Sequence, residues 1–411
     1  MKFSKKILST ALAIALIASL PGCAKEQSKV TSSNESTLTI AARDGTFTDV
    51  INSVKGTFEA EHGCTIKVVS MSANDIRSQV LADASNEVAA YDIVMIDDPL
   101  MPEYIEAKIL CNLTSLGYSD DEDFVEKSRL LGKDPYPLGA TYALPFSGNV
   151  QLLFYNKNLV GSNADLSDWN SILETCQQIN STGKNGYVIR GQSGNPIVSD
   201  FLPILWAFGG DIFDSNNNVI IDSQESREAL EFYCKLLSTG ANLEKDDLIT
   251  NVSSGEGAIA LGWPSWFISG NGVTAEIEQI PGKKDSSAEA LPTGEIGNWL
   301  LGVTSNCSNK ELALELAIYL TSADVQKEAL KAGGIPTRKS IFRDPDILAE
   351  YPYFEAIYSG TNNSRVRPRT TKWSRIEEVF GKELVSCING EQSVNDTIMK
   401  SQAEINKLAH E

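Results

Sequence analysis

Short apolar stretches and longer amphipathic stretches alternate along the chain from residue 37 onward. The first apolar stretch, residues 38–42, precedes a segment whose apolar side chains recur at helical spacing from Phe47 to Phe58. The two patterns then repeat at 65–69 (strand), 76–81 (helix), 92–96 (strand) and 102–110 (helix). This β-α-β-α order predicts a parallel sheet with right-handed crossovers.

Polar side chains follow each of the three predicted strands. Arg43 and Asp44 follow the first strand, residues 71–74 the second, and Asp97 and Asp98 the third. Ligands of open α/β sheets bind beyond the carboxyl ends of the strands. The sequence therefore predicts a binding cleft lined by these three loops.

The middle of the chain begins a second unit of the same kind. Strand patterns occur at 142–146, 150–155, 186–190 and 300–304, and helical spacing at 169–179, 201–208, 226–237 and 310–321. The chain has 411 residues, of which 42% are apolar, enough for two domains with substantial cores. We expect an α/β fold.

The first 22 residues have the pattern of an export signal. Lys2, Lys5 and Lys6 precede an uncharged run over residues 7–20, and Leu20-Pro21-Gly22-Cys23 follows. This ending resembles the lipobox of bacterial lipoproteins, in which the cysteine, here Cys23, receives a diacylglycerol and becomes the first residue. The alternatives are an ordinary signal peptide with a chance cysteine, or a membrane anchor, for which the run is shorter than the roughly 20 residues of a span.

The segment after the signal is polar, and the rest of the chain is acidic. Residues 23–36 are rich in serine and lack periodicity, which predicts a flexible tether. Without residues 1–22 the chain carries 32 basic and 54 acidic side chains, a net charge of −22. Such a surface repels nucleic acid and anionic lipid headgroups, and it argues against a polyanionic ligand.

Six cysteines remain after Cys23, and they are widely spaced. They are Cys64, Cys111, Cys176, Cys234, Cys307 and Cys387. An exported protein could pair them in disulfides, and six cysteines allow 15 pairings. Buried free thiols are the alternative that we favour. With two histidines and no CxxC, we expect no zinc site and no other metal.

Two further motifs match on spacing only. Residues 255–260 fit GxGxxA, but a polar loop precedes them and Pro264 follows closely, so no dinucleotide cofactor is expected. Residues 214–225 place acidic and amide side chains at calcium-loop spacing, but Val219 occupies the glycine position, and a hairpin is the alternative. Neither GxSxG nor a P-loop occurs in the sequence, and the adjacent Asp97 and Asp98 cannot straddle a glycosidic bond by themselves.

Six segments in order resemble the extracellular solute-binding proteins of bacterial ABC transporters, in the carbohydrate-binding group that includes maltose-binding protein. They are YDIVMIDDPLMPEYIEAKILCNLTSL (91–116), ATYALPFSGNVQLLFYNKNLV (140–160), LWAFGGDIF (205–213), SSGEGAIALGWPSW (253–266), LTSADVQKEALKAGGIPTRKS (320–340) and RPRTTKW (367–373). The resemblance implies a type II periplasmic-binding fold of two lobes joined by hinge crossovers, with the ligand between them. We place lobe 1 at 37–146 plus 298–343 and lobe 2 at 147–297 plus 344–411.

Sugars need polar partners for their hydroxyls and aromatic planes for their ring faces, which directs attention to a few residues. Asp44, Asp97 and Asp98 are candidates at strand ends, although the last two could instead cap a helix. Phe146 and Asn149 lie at the implied hinge, where core packing is the alternative.

The aromatic candidates are four tryptophans. Trp263 and Trp266 lie in the segment that resembles a sugar-stacking region of the family, and the sequence does not choose between them. Trp299 and Trp373 lie beside hinge-like segments, and Arg367 could donate to sugar hydroxyls or pair with an acid. Core packing is the alternative for each tryptophan.

The resemblance implies a binding protein rather than an enzyme. We expect a monomer, held by its lipid on the extracytoplasmic face of the bacterial membrane, that delivers a neutral sugar or oligosaccharide to the permease subunits of an ABC importer by hinge closure. The alternatives are a secreted carbohydrate-active enzyme, and an adhesin or sensor subunit with the same fold.

Overall fold

Strands β1–β3 form the parallel core of a five-stranded sheet. The computed structural model describes residues 36–269, 272–284 and 291–411. The predicted signal peptide, the lipidation site Cys23 and the tether up to residue 35 lie outside these residues. The strands of this first sheet are β1 (Ser36–Arg43), β2 (Cys64–Met71), β3 (Ile93–Asp97), β6 (Ala143–Ser147) and β14 (Trp299–Val303), in the order β2-β1-β3-β14-β6.

Pairing within the first sheet follows the predicted β-α-β-α order at its start. Strand β1 runs parallel to β2 and to β3, as expected, whereas β14 is antiparallel to both β3 and β6. The first four residues of β3 are fully buried because helices and strands cover both faces, which explains their unbroken apolar sequence.

The second sheet is built from the middle of the chain. Its strands are β7 (Leu152–Tyr155), β8 (Asn185–Ile189), β9 (Ala241–Asn242), β10 (Gly257–Gly262) and β13 (Glu276–Glu278), in the order β13-β7-β10-β8-β9. Two small ribbons pair β4 (Lys133–Asp134) with β5 (Ala140–Thr141), and β11 (Ile268–Ser269) with β12 (Gly272–Val273).

Helices cover the two sheets. Those up to α9 are α1 (Thr46–His62), α2 (Ala73–Asp83), α3 (Met101–Glu106), α4 (Glu126–Leu131), α5 (Lys157–Val160), α6 (Trp169–Asn180), α7 (Asn195–Ala207), α8 (Gln224–Leu237) and α9 (Lys245–Ser254). Those after it are α10 (Pro264–Phe267), α11 (Lys310–Leu320), α12 (Ala323–Ala329), α13 (Lys339–Phe342), α14 (Pro345–Glu350), α15 (Phe354–Asn363), α16 (Trp373–Ile388) and α17 (Val394–Ala409). Within the described part of the chain, no helix is both long enough and apolar enough to cross a membrane.

Helix α1 shows how the apolar pattern sets the packing. Its five periodic apolar side chains, from Phe47 to Phe58, are all buried against the first sheet, and Gly63 ends the helix in the left-handed conformation with φ of 59°. Helix α3 differs from the prediction for 102–110, since it ends at Glu106. Lys108 then turns with φ of 57°, and Leu110 forms a bridge to Thr304 beside the sheet.

The apolar cores divide according to the two sheets. One cluster joins β1, β3 and β14 to α1, α11 and α12. Two others surround the second sheet, and they include Trp373, Phe380 and Ile405 from the last two helices. The chain therefore passes between the sheets after β6, again before β14, and again between α12 and α15. The boundaries predicted at 146, 297 and 343 stay predictions.

Candidate functional site

A cavity of about 950 Å³ lies where loops from both sheets meet. The first sheet contributes residues after β1, β2 and β3, including Asp44, Asn74 and Asp97, so the three predicted loops do line one cavity. The second sheet contributes residues after β8, β9 and β10. Ligand sites of small molecules commonly enclose 300–1,000 Å³, so this volume suits a small-molecule ligand.

Seven of the ten predicted ligand residues contribute to this cavity wall. They are Asp44, Asp97, Asn149, Trp263, Trp266, Trp299 and Arg367. Asn149 is held in place from two sides, because its Nδ2 donates to Ser265 Oγ at 2.9 Å while its carbonyl accepts from Asn298 Nδ2 at 2.8 Å. Ligand contact by these seven side chains stays a prediction.

The other three predicted residues lie elsewhere. Asp98 is 0% exposed and lies behind the wall, where it accepts a hydrogen bond from Arg367. Phe146 lines a smaller neighbouring cavity together with Phe47. Trp373 is 1% exposed and packs in the core of the second sheet, so a ligand reaches it only if that core opens.

Arg367 joins carboxylates that come from separate parts of the chain. Its Nη2 donates to Asp97 Oδ1 at 2.5 Å and to Asp98 Oδ2 at 2.8 Å, and its Nε lies 3.4 Å from Glu295 Oε1. Asp97 is the last residue of β3 in the first sheet, and Asp98 follows it. Glu295 accepts a backbone hydrogen bond from Gln151, just before β7 of the second. Arg367 thus stabilises the region where the two sheets meet.

Burial is the largest influence on the pKa values of the carboxyl groups around Arg367. It raises the pKa of Asp98 to about 6, against the opposing effect of Arg367. It also raises the pKa of Glu295 to about 8, and that of Glu377, which lines the cavity from α16, to about 7. Each carboxyl is therefore easier to protonate than it would be in water.

The tryptophans of the wall are fixed by close packing. A Cβ atom added at Gly297 would stand 2.2 Å from Cζ3 of Trp263, so only glycine fits beneath this indole. Trp299 packs against Phe47, with ring centroids 5.5 Å apart. The guanidinium of Arg190 lies 5.1 Å from the ring centroid of Trp266. Trp263 and Trp299 are each 9% exposed and both contribute to the cavity wall.

Several wall residues were not predicted from the sequence. The loop from Arg190 to Pro196 follows β8 and leads into α7, with Arg190 Nη2 donating to Asn195 Oδ1 at 3.0 Å. The strand-end rule, applied to the predicted strand 186–190, would have found this loop. Glu377 accepts a hydrogen bond from Asn195 Nδ2 at 2.8 Å, and no sequence signal marks it within its helix.

The motifs set aside from the sequence have structural explanations. Gly257–Gly262 forms strand β10 after helix α9, which is the reverse of the order that a dinucleotide site needs. Asp214 accepts hydrogen bonds from Asn216 and Asn218 in a hairpin closed by a bridge between Phe213 and Val219. Among residues 36–269, 272–284 and 291–411, no cluster of histidine, cysteine and acidic side chains is arranged to hold a metal ion. The six cysteines all lie within the described residues, where they form no disulfide with one another, and five of them are buried.

The two sheets, with the cavity where their loops meet, form a two-lobed, type II periplasmic-binding fold. Two solved structures show the same fold. A maltose-bound MalE3 of T. maritima has a TM-score of 0.79 and 23% sequence identity, over 90% of this chain and 99% of that chain. A solute-binding protein of Agrobacterium radiobacter in complex with ribitol has a TM-score of 0.80 and 22% identity, over 91% and 98%.

The chain belongs to the bacterial extracellular solute-binding protein family, whose sequence profile matches residues 42–327. A probable ABC transporter-binding protein of Deinococcus radiodurans is 25% identical over 296 residues, 66% of this chain and 69% of that protein. An arabinooligosaccharide-binding protein of Halalkalibacterium halodurans is 22% identical over 57% of this chain and 55% of that protein. Membership of this family makes the chain a solute-binding protein of ABC transport rather than an enzyme, as the sequence predicted.

Proposed function

We propose that this protein is a lipid-anchored receptor that captures a neutral sugar, oligosaccharide or polyol and delivers it to an ABC importer. The observation that carries the proposal is the composition of the cavity wall. It combines indole rings at Trp263 and Trp299 with hydrogen-bonding groups at Asp44, Asp97 and Asn149. Indoles suit the C–H faces of sugar rings, while carboxylates and amides suit their hydroxyls.

The pairing of charges in the wall favours a neutral ligand. Arg43 pairs with Asp44, Arg77 makes two hydrogen bonds to Glu103, and Arg367 is held by Asp97 and Asp98. These three guanidiniums already have carboxylate partners, so an anionic ligand that bound one of them would have to break an ion pair. A neutral polyol exchanges its water hydrogen bonds for those of the wall without doing so.

Capture would proceed by closure of two lobes, divided at about 146, 297 and 343. Three stretches of chain lie side by side between the sheets, since Val150 bridges Ile296 and Glu295 bridges Arg365. Such short connections absorb a hinge rotation in their backbone angles. A ligand that contacts both lobes binds the closed form better and so shifts the population toward it.

The anchor and the transporter complete the proposal. Lipidation at Cys23 would keep the receptor on the extracytoplasmic face of the membrane, and residues 23–36 would let its body reach the permease subunits as a monomer. The related Deinococcus protein is described as an ABC transporter-binding protein, and the solved structures named above hold maltose and ribitol. Both ligands are neutral and rich in hydroxyls.

Thermal unfolding with a ligand panel tests this function. The chain from Ala24 onward keeps the whole compact unit of residues 36–411. It would be heated with maltose, ribitol, D-mannitol, α-D-tagatose and arabinooligosaccharides, and with glutamate as an anionic comparison. A ligand at 100 times its Kd adds about 2.7 kcal/mol of stability. A rise in Tm with one or more neutral ligands is the expected result; a rise with glutamate alone would contradict the neutral-sugar assignment.

A further inference from the structure

Where the two sheets meet, buried carboxyl groups outnumber the single guanidinium of Arg367. Asp97, Asp98 and Glu295 all lie within 3.4 Å of Arg367, and Asp98 and Glu295 are 0% exposed. Glu377 is 8% exposed and adds a fourth carboxyl from α16. We call these four carboxyl groups with Arg367 the hinge cluster.

The surroundings of the hinge cluster do not supply the missing positive charge. The charged neighbours of Glu377 are Arg367, Asp97, Arg77, Arg190 and Glu295. Those of Glu295 are Arg367, Asp98, Glu377 and Arg190. The titratable neighbours of Asp98 are Arg367, Asp97, Arg369 and Tyr136. Arg77 is already engaged by Glu103. Arg190 also faces the buried Asp200, which accepts a hydrogen bond from Tyr233. Asp97 also faces Arg43, which pairs with Asp44. Five carboxyl groups therefore have Arg367, Arg190 and Arg369 as their remaining positive partners.

Buried acceptor atoms without a hydrogen-bond donor indicate where protons would compensate the excess negative charge. Asp98 Oδ1, Glu295 Oε2, Gln151 Oε1 and Asn298 Oδ1 are buried without a hydrogen-bond donor. An ionised carboxylate only accepts, whereas a protonated carboxyl also donates. A proton on Asp98 or Glu295 removes one buried charge and gives that carboxyl group a donor, although Arg367 Nε and Arg369 Nε are also buried without an acceptor. If both carboxyl groups stayed ionised, two buried charges without counter-ions would destabilise the protein far more.

We propose that closure of the cleft around its ligand is coupled to proton uptake by the hinge cluster, so that the protein holds its solute more tightly in mildly acidic surroundings. This inference rests on the proposed function and adds a regulation of the same site. The protons would be shared by Glu295 and Glu377, with Asp98 as a third site.

Burial of the carboxyl groups determines whether closure takes up or releases protons. Asp97 and Glu377 line the cavity, so a neutral ligand in the cleft replaces the water that solvates them. Separation of the sheets would hydrate Asp97 and Asp98 on one side and Glu377 on the other, and water favours the ionised form. In this structure burial already raises the pKa of Glu377 to about 7 and that of Glu295 to about 8. The loss of cleft water on closure around a ligand would raise both pKa values further. Closure of the cleft therefore takes up protons, so the affinity for the ligand falls as the pH rises.

Isothermal titration calorimetry tests the coupling. The chain from Ala24 would be titrated with maltose and with ribitol at pH 7 in buffers of different ionisation enthalpy, and then from pH 6 to pH 8. We expect an uptake of about 0.3–1 proton per ligand and an affinity at least about threefold weaker at pH 8 than at pH 6. Glu377→Gln and Glu295→Gln should each flatten the profile. Glu404→Gln, an exposed change on α17, should leave it unchanged.

Binding heat without proton transfer, with a flat pH profile, would overturn the inference while leaving the sugar-binding function intact. Affinity that follows sodium or potassium concentration instead of pH would also overturn it.

A ligand-free measurement keeps the proposal testable if neither probe binds. The ligand-free protein should show a protonated carboxyl band in its infrared spectrum at pH 7, and this band should be weaker in Glu295→Gln. Absence of that band in wild-type protein would contradict the inference, whatever the panel shows.

Discussion

Trp263 packs directly over Gly297, with no room for a methyl group between them. A Cβ at position 297 would stand 2.2 Å from Cζ3 and 2.4 Å from Cη2 of the indole. Gly297 lies two residues before Trp299, and all three residues contribute to the cavity wall. The segment between the sheets therefore fixes the position of a candidate stacking ring.

Gly297→Ala should displace Trp263 and weaken sugar binding at least about tenfold, because the indole cannot keep its place beside a methyl group. Calorimetric titration with the strongest ligand of the panel measures the loss. Gly56→Ala is the matched control, since Gly56 is exposed on α1 with nothing within 4 Å of the added methyl. It should leave affinity unchanged and stabilise the fold by about 0.5–1 kcal/mol.

Trp263→Ala and Trp299→Ala should each reduce affinity for a cyclic sugar by about 1–3 kcal/mol, since each removes a large apolar surface from the wall. Trp266→Ala should cost less, because the Arg190 guanidinium already lies over that ring. Equilibrium binding at constant pH measures all three.

Tyr351→Ala provides the aromatic control for these variants, because Tyr351 stacks on Phe354 away from the cavity. If Trp263→Ala and Trp299→Ala bind as tightly as Tyr351→Ala does, the assignment of these rings as stacking surfaces is wrong.

Arg367→Met should destabilise the protein by about 3–5 kcal/mol at pH 8, since it leaves buried carboxylates without their counter-ion. The loss should be smaller at pH 5, where those carboxyls take up protons instead. Urea denaturation at the two pH values measures both effects.

Arg375→Met is the control for this charge removal. Arg375 is 50% exposed and pairs with Glu411 at the surface, so its loss should cost no more than about 1 kcal/mol. Equal losses at positions 367 and 375 would show that the buried pairing is unimportant.

The stability of the ligand-free protein should fall as pH rises from about 5 to about 8. The folded-state pKa values of Asp98, Glu377 and Glu295, about 6, 7 and 8, exceed the ordinary values near 4. The folded state therefore binds more protons than the unfolded state across this window, so the free energy of unfolding decreases with pH. Urea midpoints measured across the range should show this slope, and Glu295→Gln should reduce it. A slope of the opposite sign would contradict these folded-state pKa values.

Much of the fold could be predicted because local pattern and tertiary burial agree. The apolar periodicity of α1 and the unbroken apolar run of β3 each indicate which faces are buried. The end of α3 could not be predicted in this way. Apolar side chains continue to Leu110, but they serve a bridge to Thr304, a contact made by a distant part of the chain.

For the candidate site, too, local sequence pattern predicted some residues and not others. Asp44 and Asp97 were found because strand ends in an α/β sheet lie at one edge. Asp98 has the same sequence context as Asp97 and shares its partner Arg367, yet Asp98 is fully buried behind the wall, and only the fold reveals this difference. Glu377 reaches the cavity from a helix more than 250 residues away from either, so no local pattern could identify it.

The central claim is that the cavity between the two sheets holds an intact neutral sugar or polyol. The most direct measurement is calorimetric titration of wild-type protein and Trp263→Ala with the panel ligand that raises Tm most, followed by chromatography of the recovered ligand. We predict single-site binding to wild-type protein, at least about tenfold weaker binding to the variant, and recovery of the ligand unchanged. No binding of any carbohydrate or polyol, or equal binding by both proteins, would contradict the claim.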